Sequence, residues 1–216
     1  MLDRLTELPA QTLGLEEYRA DFRNHFWKID VSWKLERQIA FKEPDSPSWT
    51  AMAEGDWNKA LLLAEELRTP RTAHQRDLDR SGIVQRRIRF VSRPLTPYLQ
   101  WELNVLRIWA ELGEQIRILP EDTIGHLEAK RQLPEVLVLG DRSPTQVMYV
   151  IRYVDGVLAG AQKFTEPNLI DTCRKEIASL WRQGEEILPY FDREVAHLPP
   201  PTSPPPTPPP PTPRGV

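Results

Sequence analysis

The chain of 216 residues carries 28 Lys and Arg against 31 Asp and Glu, a formal charge of -3, and 40% hydrophobic residues. That is enough for one sizeable core and too little for two. The balance gives no whole-chain basic signature for nucleic acid or an anionic membrane surface. No run of eighteen apolar residues is present to cross a bilayer, and a lone Cys173 excludes an intramolecular disulfide or a Cys-based zinc cluster.

Met1 to Gln11 has no apolar h-region and carries Asp3 and Glu7, so no secretory signal is expected, and residues 1–14 read as a flexible N-terminus of a cytoplasmic protein. Leu15, Tyr18, Phe22, Phe26, Ile29 and Trp33 then recur at spacings of three and four. That single apolar stripe predicts helix, with a joint near Asp30-Val31-Ser32 where propensity weakens. Pro44, Pro47 and Gly55 punctuate the chain, and Asp56 is placed to cap a helix over 57–68. Residues 15–68 thus read as a helical lobe. The polar stretch 69–82 reads as a loop.

After Gly82 the period changes. Ile83 to Val91 alternates as a strand, with Arg87 and Arg89 on one face and Arg86 on the other. Thr96 as N-cap and Pro97 at the first helical position start a helix that runs to about Leu112, where Gly113 stops it. This helix is apolar all round, which predicts burial between layers. Strands follow at 115–119, 136–139, 146–154 and 157–164, the last two joined by Asp155-Gly156, a favoured hairpin turn. Two helices close the domain, from Pro167 to Gly184 and over Ile187 to Val195. The expectation is one α+β or α/β domain over 15–198. It has a helical lobe, a small mixed sheet over 83–198 with a buried central helix, and C-terminal helices.

From Pro199 the chain reads PPPTSPPPTPPPPTPRGV, half of its 22 prolines. Proline fixes φ and donates no backbone hydrogen bond, so this end is expected to be a disordered polyproline tail. It reads as a solvated spacer first and as a ligand for an aromatic groove second.

Several segments carry a resemblance. They include Phe26-Trp27, Trp33-Lys34-Leu35-Glu36-Arg37-Gln38, Phe41-Lys42-Glu43-Pro44, and Gly55-Asp56-Trp57. The most specific is Arg87-Ile88-Arg89-Phe90-Val91 leading into Pro94-Leu95-Thr96-Pro97-Tyr98-Leu99-Gln100-Trp101-Glu102-Leu103, with Gly113-Glu114-Gln115-Ile116-Arg117 beyond. Over about Tyr18 to Pro201 the chain resembles an actinobacterial family of unknown function. The resemblance implies genomic neighbours among helix-turn-helix regulators and no chemistry. The sheet pattern is also similar to phospholipase-D-like halves, but the His-x-Lys motif that such an enzyme needs is absent.

His25, His74, His126 and His197 have no metal-ligand spacing, and there is no glycine-rich phosphate loop or Gly-x-Ser-x-Gly elbow. No catalytic residue, metal or cofactor is therefore assigned. Glu36, Glu43, Glu102, Glu114, Glu135 and Asp141 are carboxylates from which an acid–base pair is conceivable, though ion-paired or solvated roles are the commoner case. Of Arg86, Arg87, Arg89 and Arg93, one is expected to hold helix to sheet beside Glu102 or Glu114.

Two functions follow. The leading one is a non-enzymatic regulatory or protein-interaction module, with a protein partner such as a helix-turn-helix regulator and Trp27, Trp33, Trp49 and Trp57 as anchors. The alternative is an enzyme or nucleotide- or phosphate-binding protein whose site collects Arg89, Arg93, Glu102, Arg117 and Asp141, with Arg87 and Trp101 as further ligand or partner candidates. Nucleic acid ranks last, since no helix-turn-helix or other recognition motif is found.

Overall fold

Alternation along the strands decides the layering. In a computed structural model, which describes residues 1–128, 131–141 and 146–201, strand β2 (Val31–Glu36) points Val31, Trp33 and Leu35 to one side. Its Ser32, Lys34 and Glu36 fall on the other by the period of two. It pairs in parallel with β3 (Val84–Val91), which in turn pairs in parallel with β4 (Gln115–Pro120). Around this trio the sheet continues antiparallel through β5 (Val136–Leu139), β6 (Val147–Val154), β7 (Val157–Phe164) and β1 (Gln11–Gly14). At the far edge lies β8 (Glu185–Glu186). The order β1-β7-β6-β5-β2-β3-β4-β8 makes an eight-stranded mixed sheet, larger than the small sheet expected.

One face packs on α6 (Pro167–Gln183), through Ile170, Cys173, Ile177 and Leu180 against Trp33, Ile88, Phe90, Val136 and Met148. Burial pushes the Cys173 thiol up to about 12, so it behaves as a small apolar side chain. The opposite face carries α1 (Leu15–Phe26), α2 (Pro47–Ala53), α3 (Trp57–Glu66), α4 (Arg68–Ser81), α5 (Pro97–Glu111) and α7 (Ile187–Glu194). The described residues form a single mixed α and β domain. Among them no helix is long and apolar enough to cross a membrane.

Helix α5 is the buried central helix. The Thr96 hydroxyl accepts from the Leu99 amide, Pro97 occupies the first turn, and Gly113 beyond the end takes φ of 123°. Tyr98, Leu99, Trp101, Leu103, Val105, Leu106 and Ile108 are all buried, so both the sheet and the outer helices use this one element. The 155–156 hairpin also holds, with Asp155 and Gly156 both at positive φ.

Three expectations about segments of the chain are corrected. Residues 1–14 are packed: a 3-10 helix over Leu2–Glu7 buries Leu2 and Leu5 beneath the sheet, and β1 pairs with β7. The stretch 15–68 is no helical lobe, because its helix ends at Phe26 and β2 runs through the middle of the sheet. Residues 68–81 form a helix rather than a loop, with Pro70 tolerated in its first turn. The tail is described only to Pro201, so the expectation for 202–216 lies outside the described residues.

The β1–β7 edge supplies a first prediction. Gly160 has φ of 135°, and a Cβ there would lie 2.2 Å from the Leu13 carbonyl oxygen. Gly160→Ala is expected to cost at least about 3 kcal/mol, a drop of about 6–12 °C in Tm for a domain of this size. Gly82→Ala, at φ of 67° with open space around it, is the control and loses roughly 1 kcal/mol. Equal losses in thermal melts would show that the approach to Leu13 is not what demands glycine.

Candidate functional site

The parallel register of β2 and β3 sets Lys34 beside Arg87 and Glu36 beside Arg89, all on the α5 face and near the carboxyl ends of the strands. Carboxyl ends of parallel strands are where open α/β sheets most often receive ligands. Helix α5 brings Tyr98 and Glu102 to the same place, since residues four apart share a helix face. The connection after β2 adds Phe41, Lys42 and Glu43. Lys34, Glu36, Arg87, Glu102, Phe41, Lys42 and Glu43, together with Ser46, Trp101, Trp109, Tyr153 and Leu158, line a cavity of about 230 Å³. Arg89 and Tyr98 reach it only through Glu102 and Glu43.

The charges form a connected network. Arg87 donates from Nη1 to Glu36 at 2.7 Å and from Nε to Glu114 at 2.7 Å. Lys34 Nζ lies 2.5 Å from the other Glu36 oxygen. Arg89 has 0% of its surface exposed; it donates from Nε to Glu102 at 2.6 Å and from Nη1 to the Gln38 carbonyl at 2.6 Å. Arg71 reaches Glu114 from α4 at 2.6 Å, and the Arg71 and Arg87 guanidiniums each lie 4.9 Å from the centre of the Trp109 ring.

The carboxyls respond differently to burial. Burial opposes ionisation of Glu36, but Arg87, Lys34 and Arg89 outweigh it and hold the group well below the usual carboxylate range. Burial raises Glu102 against the opposing pull of Arg89, and raises Glu43 against the hydrogen bond from Tyr98. The Tyr98 hydroxyl lies 2.8 Å from Glu43 Oε1 and 3.2 Å from Glu102 Oε1. A phenol donates one proton, so it satisfies both oxygens only when one carboxyl is protonated and donates back. Glu43 and Glu102 therefore compete for the one phenol proton, and burial favours the neutral form of each. Deeper in, Glu135 accepts from the Arg37 and Gln38 amides at 2.7 and 2.6 Å, and burial, reinforced by Glu36, pushes it up to about 7.

Of the residues singled out in the sequence, the fold brings Arg87, Arg89, Trp101 and Glu102 together. Arg89 pairs with Glu102 of α5, the expected clamp of helix to sheet, and Arg87 pairs with Glu114 in the turn between α5 and β4. The others lie elsewhere. Arg93 is exposed and pairs with Glu194 at 3.0 Å. Arg117 stacks on Trp181 and donates to its carbonyl, and Asp141 pairs with Arg174 of α6 at 2.6 Å.

Among the tryptophans, only Trp27 is strongly exposed, at 46%. Trp33 is core, edge-on to Trp181, and Trp49 and Trp57 pack on the α2–α3–α5 cluster. Lys34 and Tyr153, which line the cavity, and Tyr98, which bonds to two of its carboxyls, were not singled out in the sequence. Reading 31–36 as a strand would have placed Lys34 and Glu36 on one face. No histidine or cysteine lines the cavity, and among the described residues no group of three His, Cys, Asp or Glu is set to hold a metal.

Fold and cavity together define a layered α and β domain built around a buried arginine–glutamate network. The chain belongs to the family described as a domain of unknown function, DUF6879, whose model matches residues 20–192. That span contains every residue lining the cavity. Comparison with curated proteins finds no match.

Proposed function

We propose that the domain binds a small anionic molecule, one bearing a phosphate or carboxylate group, in the cavity between β2, β3 and α5. The observation that carries this reading is the balance of charge. Lys34, Lys42, Arg71, Arg87 and Arg89 stand around Glu36, Glu114 and the Glu43–Glu102 pair that the Tyr98 hydroxyl bridges. With one proton held in that pair, five cations meet three negative charges. The surplus favours an anion, and Trp101, Trp109, Phe41 and Tyr153 offer an apolar wall for the rest of a compact ligand.

Calorimetric titration with inorganic phosphate, phenyl phosphate and benzoate tests the reading. Binding of at least one anion is expected, weakening at least tenfold between pH 6 and pH 8 as the proton of the Glu43–Glu102 pair is lost. Lys34→Met, at a side chain 34% exposed, is expected to weaken it about tenfold, or about 1.4 kcal/mol, without unfolding the domain. Glu43→Gln, which keeps a donor at all pH values, removes the pH dependence. An absence of anion binding, or binding indifferent to Lys34→Met, sinks the proposal.

The regulatory reading, with a protein partner such as a helix-turn-helix regulator, has one feature in its favour. Trp27 is exposed and sits edge-on to His74 at 5.7 Å. A Trp27→Ser variant leaves the cavity untouched and so separates the two readings.

A further inference from the structure

The cavity leaves the proline-rich end of the sequence unexplained. The first residues of that end, Pro199 to Pro201, form one wall of a groove of about 580 Å³, whose other walls are Arg93, Pro94, Leu95 and Pro97 ahead of and at the start of α5, and Tyr190 and Glu194 on α7. Gln100 is a polar side chain on a helix whose surroundings are apolar, and it is only 7% exposed. Its Nε2 donates to the Pro199 carbonyl at 2.9 Å. Tyr190 lines the same groove, and its buried hydroxyl has no acceptor among the described residues, the neighbouring Arg93 being itself a donor.

These features match what a proline run requires. Such a run offers carbonyl acceptors and no amide donors, and it presents ring faces in a preformed extended helix. Recognition therefore needs side-chain donors above an apolar floor of aromatic and proline rings. Gln100 is one such donor already engaged, and the Tyr190 hydroxyl is a second that lacks an acceptor. The run carries no charge before Arg214, so a groove that reads ring faces and carbonyls suits it better than one that reads charge.

We propose that this groove is a polyproline-recognition site, and that its ligand is the run beginning at Pro199 of the same chain. The Gln100–Pro199 hydrogen bond is its first contact. Binding in cis makes the run a resident occupant of the groove rather than a passive spacer.

The test uses the full-length chain, isotopically labelled, and a variant of the same length in which the prolines from Pro199 to Pro213 are replaced by serine. The probe is a synthetic peptide with the sequence of residues 199–211. In the serine variant the peptide is expected to shift the Gln100 side-chain amide and Tyr190 signals saturably. It should bind at least tenfold more tightly than to the native chain, whose own run competes. Gln100→Met, similar in size but without a donor, is expected to weaken the peptide at least tenfold in the serine background, and Tyr190→Phe tests the second donor with its packing kept. The affinity should be nearly independent of salt. If the Gln100 and Tyr190 signals stay still in the serine variant, or the native chain binds the peptide equally well, the groove is not a polyproline site. Should Gln100→Met disturb the fold, the Tyr190→Phe and native-against-serine comparisons still decide.

Discussion

Arg89→Met lowers stability by about 3–5 kcal/mol at pH 7, the range for breaking a fully buried ion pair by removing one partner. The guanidinium is inaccessible to solvent, and it is the cation that neutralises Glu102. Methionine fills much of the volume but leaves Glu102 facing Glu43 and Glu36 without compensation. Adding Glu102→Gln to Arg89→Met is expected to recover a large part of the loss, because an uncharged amide no longer needs the cation. The loss in the single variant should also shrink as pH falls towards 5, since the unpaired Glu102 then protonates. Urea unfolding of the wild type, both single variants and the double variant gives the coupling energy. Strictly additive losses would show that the pair is not an energetic unit.

The second large effect is a pH dependence traceable to Glu135. Its folded value of about 7 lies above the 4.5 of an unperturbed glutamate. Between those values the folded chain holds a proton that the unfolded chain has released, so stability falls as pH rises from 4.5 to 7. Above pH 7 the cost is constant, at most about 3 kcal/mol. Glu36 works in the opposite direction: held below its ordinary value, it adds stability above pH 4.5 that is lost in acid. His74, lowered by burial and by Arg71, also favours higher pH.

The difference between native chain and Glu135→Gln isolates the one group from these others. Glutamine keeps an oxygen for the Arg37 and Gln38 amides, so the variant should be the more stable protein at pH 8 and should lose that advantage by pH 5. Parallel stability curves for the two proteins over pH 5 to 8 would mean that Glu135 titrates normally in the fold.

The two effects share a cause with the proposed anion site. Most of the buried charges lie on the α5 side of the sheet, where β2, β3 and α5 meet, and their cations exceed the negative charge the carboxyls carry when the Glu43–Glu102 pair holds a proton. A domain that served only as a scaffold would fill this volume with apolar side chains at no loss of stability. Retaining so many ionised groups next to an open cavity is the energetic reason to look for a ligand there.

Much of the local structure was legible in the residues themselves. Thr96-Pro97 and Gly113 delimit α5, Asp155-Gly156 turns the β6–β7 hairpin, and Pro167 and Gly184 bracket α6. Each is governed by backbone chemistry within a few residues, so no knowledge of the fold is needed. The all-round apolarity of α5 likewise announced a helix between layers.

Other elements depended on what lies across the chain. Ile29 and Trp33 continue a helical stripe, yet Val31, Trp33 and Leu35 also fit a strand. Over six residues the two periods coincide, and pairing with β3 and β5 settles the matter. Helix α4 has little apolar pattern and buries only Leu78; Arg68 and Arg71 anchor it by ion pairs to Glu111 and Glu114, more than forty residues away.

By itself, then, the sequence determined the turns, the caps and the buried helix, and it placed Arg87 and Arg89 on one face. Only the tertiary structure decided which carboxylates they meet. Lys34 and Glu36 come from β2, Glu43 from the connection after it, Tyr98 and Glu102 from α5, and Glu114 from the turn before β4. A buried charge is matched by whichever partner the packing of those elements delivers, and no local pattern encodes that.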